Sequence, residues 1–261
     1  MPYVTRDGLR LYYEQDGSGD RSFVFVHGWC CDYTFFAPQY EQFKSSSTVT
    51  TLDLRGCGRS DRPNGGYAVP TFADDLAWLC GELGISKPIV VGHSLGGLIG
   101  LELAARHPSL PHAIVAVDPG PIDPLPQSVT ALSAIAAQLE DADGADPRPA
   151  YVAGLLLPSD DVAGRERIVE TMCTVPATIA AASLRGLLEW DGVTALERCE
   201  VPVLVLLSRT GGSNDPARLL ALKPTLQIGV TVGAGHFLQF DASEQVSSMI
   251  EQFVRVSTWL G

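Results

Sequence analysis

The stretch Pro88-Ile89-Val90-Val91-Gly92-His93-Ser94-Leu95-Gly96-Gly97-Leu98-Ile99-Gly100 decides the fold. Its first half is a short β-branched apolar run, which predicts a buried strand. Its second half continues into Leu101-Glu102-Leu103-Ala104-Ala105, which predicts a helix. Between them stands Gly92-x-Ser94-x-Gly96. A serine on a sharp strand-to-helix turn is held in a strained backbone conformation that lifts its hydroxyl above the sheet. The residues two before and two after must be small, because strand and helix backbones pass close there, and Gly92 and Gly96 meet that need. The helix N-terminus also aims N–H groups at negative charge forming beside Ser94. The stretch has no Lys and no Gly-Lys-Ser/Thr, so it is not a phosphate loop.

Outward from this unit the same rhythm repeats. Upstream, Tyr3-Val4-Thr5 and Leu9 to Glu14 flank Asp7-Gly8 and predict a hairpin. Arg21 to Val26 predicts a strand running into His27-Gly28-Trp29-Cys30, followed by a helix over Tyr33–Lys44. Ser47 to Leu54 predicts a strand leading into the loop Arg55-Gly56-Cys57-Gly58-Arg59-Ser60. Pro70–Leu83 predicts a helix that Gly84 ends. Downstream, His112–Asp118 is a further strand, and the alternation predicts an α/β fold with a doubly wound, mostly parallel sheet.

At Pro119 the pattern changes. Pro119, Pro121, Pro124 and Pro126 lead out of the sheet into helical stretches at Ser128–Leu139, Asp161–Thr174 and Pro176–Glu189, with a polar gap over Glu140–Pro149. Strand patterns return at Val201–Leu207 and Leu226–Val232, and a helix from Ser243 to about Trp259 closes the chain. The expected organisation is a core of 1–120 and 197–261 with a helical cap inserted over 121–196. Ligands in open α/β sheets bind beyond the carboxyl ends of the strands, so the cap is expected to roof the site.

Composition narrows the function. The 261 residues suffice for one large α/β domain with an insertion. A formal net charge of -12 argues against nucleic acid and anionic membranes as partners and leaves a small-molecule substrate. Met1 to Asp7 lacks the apolar core of a signal peptide, and no apolar run is long enough to span a bilayer. The six cysteines are scattered without C-x-x-C spacing, as in reduced cytoplasmic proteins, so the expected location is the cytoplasm. Cys30 or Cys31 could wall a pocket, although small buried hydrophobes are the simpler reading. No histidine pair has helical metal-ligand spacing, so no metal site is expected, and no cofactor is expected either.

The chain resembles the α/β-hydrolase-fold serine hydrolases that carry a helical cap. The resemblance rests on His27-Gly28-Trp29, Asp53-Leu54-Arg55-Gly56-Cys57-Gly58-Arg59-Ser60, Gly92-His93-Ser94-Leu95-Gly96-Gly97, Val201 to Val205, and Gly233-Ala234-Gly235-His236-Phe237. It implies Ser94 as nucleophile and His236 as base. It also implies an oxyanion hole from the main-chain N–H groups of Trp29 and Leu95. His27 and His93 then brace loops. The acid departs from the common pattern. The usual position, after the strand that follows the cap, reads Leu207-Ser208-Arg209-Thr210-Gly211-Gly212-Ser213 and holds no carboxylate; Asp215 comes a few residues late. Asp118 ends the strand after the serine unit, where some branches of the superfamily place the acid, and it is the favoured candidate.

Three enzymatic readings follow from the resemblance. One is hydrolysis of carboxylic esters or lactones through an acyl-serine. Another is carbon–carbon hydrolysis of vinylogous diketones by the same triad. The third is a cofactor-free dioxygenase, in which the His–Asp pair deprotonates a heteroaromatic substrate and the serine only positions it. A non-enzymatic receptor on the same fold is the alternative of a different kind.

Overall fold

A computed structural model describes residues 2–157, 162–208 and 213–257. Asp7 and Gly8, both at positive φ (50° and 84°), turn β1 (Tyr3–Arg6) into β2 (Leu9–Asp16). Then come β3 (Ser22–Val26), a 3-10 turn at Tyr33–Phe36, α1 (Ala37–Phe43), β4 (Thr48–Leu52), α2 (Val69–Glu82) and β5 (Ile89–His93). α3 (Leu95–Arg106) and β6 (Ala113–Val117) complete the first half. Five helices follow without an intervening strand: α4 (Pro126–Glu140), α5 (Arg148–Leu155), α6 (Val162–Cys173), α7 (Ala177–Leu188) and α8 (Gly192–Arg198). The chain ends with β7 (Val203–Leu207), α9 (Pro216–Leu222), β8 (Gln227–Val230), α10 (Leu238–Asp241) and α11 (Ser243–Ser257).

The eight strands form one sheet in the order β1-β2-β4-β3-β5-β6-β7-β8. β1 and β2 run antiparallel, and β4, β3, β5, β6, β7 and β8 pair in parallel. Side chains alternate across the sheet, as the pleat dictates. On β3, Val24 and Val26 join the core shared with α2, α3 and the five inserted helices, while Phe23 and Phe25 join the core shared with α1 and α11. Both faces are therefore covered, which is why the parallel strands read as continuous apolar runs.

The helices differ from the sequence expectation in four places. The polar gap ends at Arg148, where α5 begins with a proline in its first turn. Short helices α8, α9 and α10 are not expected from the sequence, and α8 packs on α3, a helix of the sheet's flank. The expected helix starts and ends at Asp161 and Trp259 lie outside the described residues, as do Arg209 to Gly212. Among the described residues, no single helix is long and apolar enough to cross a membrane.

The turn after β3 depends on a neutral histidine. His27 is buried; its Nδ1–H donates to the Gly28 carbonyl (2.8 Å), and its Nε2 accepts from the Leu54 N–H (3.0 Å). Burial pushes this imidazole down to about 4. Protonation would remove the acceptor that Leu54 needs. The unfolded chain binds a proton near pH 6.5 and the folded chain does not until about 4, so stability is present above pH 6.5 and lost as pH falls through that window. The buried Asp53 carboxyl, pushed up to about 6, has the opposite sign in part of this window, so a variant must isolate the histidine. Between pH 7 and pH 4, urea denaturation should show the wild type losing on the order of 3 kcal/mol more than His27→Gln.

Candidate active site

The elbow at Ser94 follows from packing. A Cβ on Gly92 would fall on the Gly96 carbonyl, and one on Gly96 would fall on the Val26 carbonyl. Two glycines thus let β5, α3 and β3 touch at backbone distance. Ser94 itself stands at φ 51°, ψ -116°, at the start of α3. Its N–H is held by the Val117 carbonyl (3.0 Å), and its carbonyl accepts from Gly97 (3.0 Å). Cys30 (φ 58°) and Asp118 (φ 38°) are also strained, so three of the five non-glycine residues at positive φ among the described residues flank one site.

His236 follows β8 in a loop closed onto the site. Its Nδ1 lies 2.7 Å from Asp118 Oδ2. Asp118 is buried, and its carboxylate also accepts from the Ser208 N–H (2.9 Å) and the Ser208 hydroxyl (3.3 Å). A buried carboxylate needs such donors. Asp215 is placed differently. It is exposed and caps α9, accepting from the Ala217 N–H (2.8 Å). Of the two candidate acids, Asp118 is the one the fold brings to His236.

Trp29 and Leu95 flank Ser94's end of the sheet. Leu95 opens α3, and neither its N–H nor that of Trp29 has a main-chain acceptor among the described residues. The Trp29 indole donates to the Ala180 carbonyl (2.9 Å), which fixes the ring under α7. Loop residues Asp53 and Ser60 are structural. The Asp53 carboxylate accepts from the Tyr33 and Arg59 N–H groups, and Ser60 donates to the Asp53 carbonyl.

Ser94, His236, Asp118 and Trp29 line one cavity of about 310 Å³. The inserted helices supply its other wall through Leu132, Tyr151, Leu155, Met172, Leu184 and Leu187. Cys31 also lines it, while Cys30 is buried beside it. A wider groove of about 600 Å³, bordered by Glu102, Arg106, His107 and Trp190, shares no residue with this cavity.

Sequence reasoning misses three contacts here: Ser208 on Asp118, the His93 Nε2–H donating to the His236 carbonyl (3.0 Å), and the Leu155 carbonyl accepting from the His236 N–H (3.1 Å). Only Ser208 carried a signal, as a polar residue ending an apolar strand. His93 is buried, and burial together with the neighbouring His236 holds it neutral, well below the usual histidine range. Among the described residues, no group of His, Cys, Asp and Glu could hold a metal ion.

Comparison with known proteins agrees with this architecture. The chain is 29% identical to 2-(acetamidomethylene)succinate hydrolase of Mesorhizobium japonicum, over 94% of this chain and 92% of that one. It superposes on an esterase from Thermogutta terrifontis with a TM-score of 0.85 at 24% identity, covering 98% of this chain and 97% of that one. For the enol-lactonase from Burkholderia xenovorans LB400 the TM-score is 0.82 at 20% identity, covering 97% and 100%. The family described as "Alpha/beta hydrolase family" matches residues 23–248, and the chain belongs to that family.

Proposed function

We propose that this protein is a cytoplasmic serine hydrolase that cleaves carboxylic esters or lactones of small to medium, largely apolar substrates. The observation that carries the reading is the Asp118–His236 pair opening into the cavity that Ser94 shares. In this reading His236 Nε2 takes the Ser94 proton as Oγ attacks the substrate carbonyl carbon. Asp118 fixes the Nδ1–H tautomer and stabilises the imidazolium. The oxyanion finds the Trp29 and Leu95 N–H groups, the second backed by the N-terminus of α3. The imidazolium returns its proton to the leaving group, and water then cleaves the acyl-serine by the same steps in reverse order. The inserted helices act as a cap whose apolar side chains set the substrate preference.

Hydrolysis is favoured over the dioxygenase reading by the relative named as a hydrolase, which is similar along nearly the whole chain. Carbon–carbon hydrolysis would use the same residues, and no contact described here favours it.

Short p-nitrophenyl esters and an active-site-directed fluorophosphonate test the reading. Turnover and a mass adduct on Ser94 are expected, and Ser94→Ala should lose on the order of a millionfold in kcat while keeping the fold. A variant that retained more than about a hundredth of wild-type kcat would remove covalent catalysis by Ser94.

The acid is tested separately. Asp118→Asn should lower kcat by about 10⁴, roughly 5 kcal/mol of transition-state stabilisation. Asp215→Asn should change kcat by less than about tenfold, because Asp215 is an exposed helix cap whose hydrogen bond an asparagine oxygen can also accept. Both variants measured on one ester give the answer, and the reverse pattern would reassign the acid.

A further inference from the structure

α5 touches both halves of the machinery. Its last residue, Leu155, gives its carbonyl to the His236 N–H at 3.1 Å. Two groups otherwise left without partners meet there. Leu155 ends a helix, where the last carbonyls have no partner within the helix, and His236 sits in a loop off the sheet. One turn earlier, Tyr151 packs edge-on against Trp29, with ring centroids 6.0 Å apart at 77°. At the other end, the buried Arg148 donates to the carbonyls of Met172 (2.8 Å) and Val175 (2.5 Å), pinning α5 to the turn between α6 and α7. The approach is close: a Cβ on Gly235 would lie 2.9 Å from the Leu155 carbonyl oxygen.

We propose that α5 is a strut that orients the base, with the Leu155 carbonyl as positioning group, so that His236 reaches its working geometry only while the inserted helices are seated. Tyr151, Leu155 and Leu156 also line the cavity. Substrate that fills the cavity therefore presses on the element that holds His236, and seating of the insertion and assembly of the Ser94–His236–Asp118 set become one event. The proposal rests on the reading of His236 as base.

The test is Gly235→Ala. Gly235 does not stand at positive φ, so the added methyl strains no backbone angle and acts by pushing on the Leu155 carbonyl. The expected result is a kcat loss of about ten- to a hundredfold, the scale of a sub-ångström to 1 Å misplacement, with KM changed less than about twofold. The low-field proton resonance of His236 Nδ1–H should broaden in parallel. A kcat within about twofold of wild type and an unchanged resonance would overturn the proposal. A second measurement needs no variant. In the wild-type protein, the His236 amide should exchange with solvent deuterium at the rate of the α5 amides, and both should slow together when a phosphonate occupies Ser94. A His236 amide that exchanges freely while α5 stays protected would overturn it as well. His236→Ala separates the two readings. Retained turnover there removes the base assignment, whereas its loss beside a normal Gly235→Ala removes the strut alone.

Discussion

The structure depends on one close approach of three backbones. At Gly92 and Gly96 the clashing partner of any added Cβ is a main-chain carbonyl, which cannot rotate away as a side chain can. β5, α3 and β3 are therefore locked in mutual position. Ser94 inherits its positive φ from that lock, at a cost of roughly 1–3 kcal/mol that the buried sheet around it offsets. Gly28 extends the constraint, since a Cβ there would lie 2.9 Å from His93 Nδ1 and 3.2 Å from Ser94 Cβ. The sheet order places β3 beside β5 at the point where the winding reverses. Turns after these two strands leave in opposite directions and open the crevice between them, which is where Trp29 and Ser94 stand.

The carboxylate shows how neighbouring strands can exchange roles. β6 and β7 pair in parallel, so residues just past their ends lie side by side. A carboxylate on either strand can reach a histidine delivered from beyond β8. Here the carboxylate beside His236 stands just past β6, and Ser208, just past β7, turns both its N–H and its hydroxyl to Asp118. A buried carboxylate without such donors would cost several kcal/mol, so Ser208 is part of what permits Asp118 to remain there. Asp215 does what an aspartate before a proline at a helix start does best, and caps α9.

What was legible in the sequence was local. Gly92-x-Ser94-x-Gly96 encodes its own turn, Asp7-Gly8 encodes its own hairpin, and Asp118 is visible as the residue that ends an apolar run. His236 could be placed only because the motif around it resembles a family pattern. The contacts that orient these residues were not legible, because they join distant segments: Ser208 lies 90 positions from Asp118. α5 was hidden for a different reason. Its start at Pro147-Arg148-Pro149 reads as a break, yet proline suits the first turn of a helix, and Arg148 buries its charge against Asp146 while donating to carbonyls that only the fold brings near.

Three imidazoles crowd this end of the sheet, and the fold separates their chemistry. His27 and His93 are fully enclosed, and burial holds both neutral. Each spends its N–H on a main-chain carbonyl, of Gly28 and of His236 respectively, and so acts as a fixed spacer. His236 faces the cavity and has a carboxylate behind it. Its ring centroid lies 4.7 Å from that of His93, close enough for two positive charges to oppose each other strongly in a dry interior. A neutral His93 puts no positive charge beside the imidazole that Asp118 holds. Burial of the spacers and the opening of His236 onto the cavity are thus two sides of one arrangement.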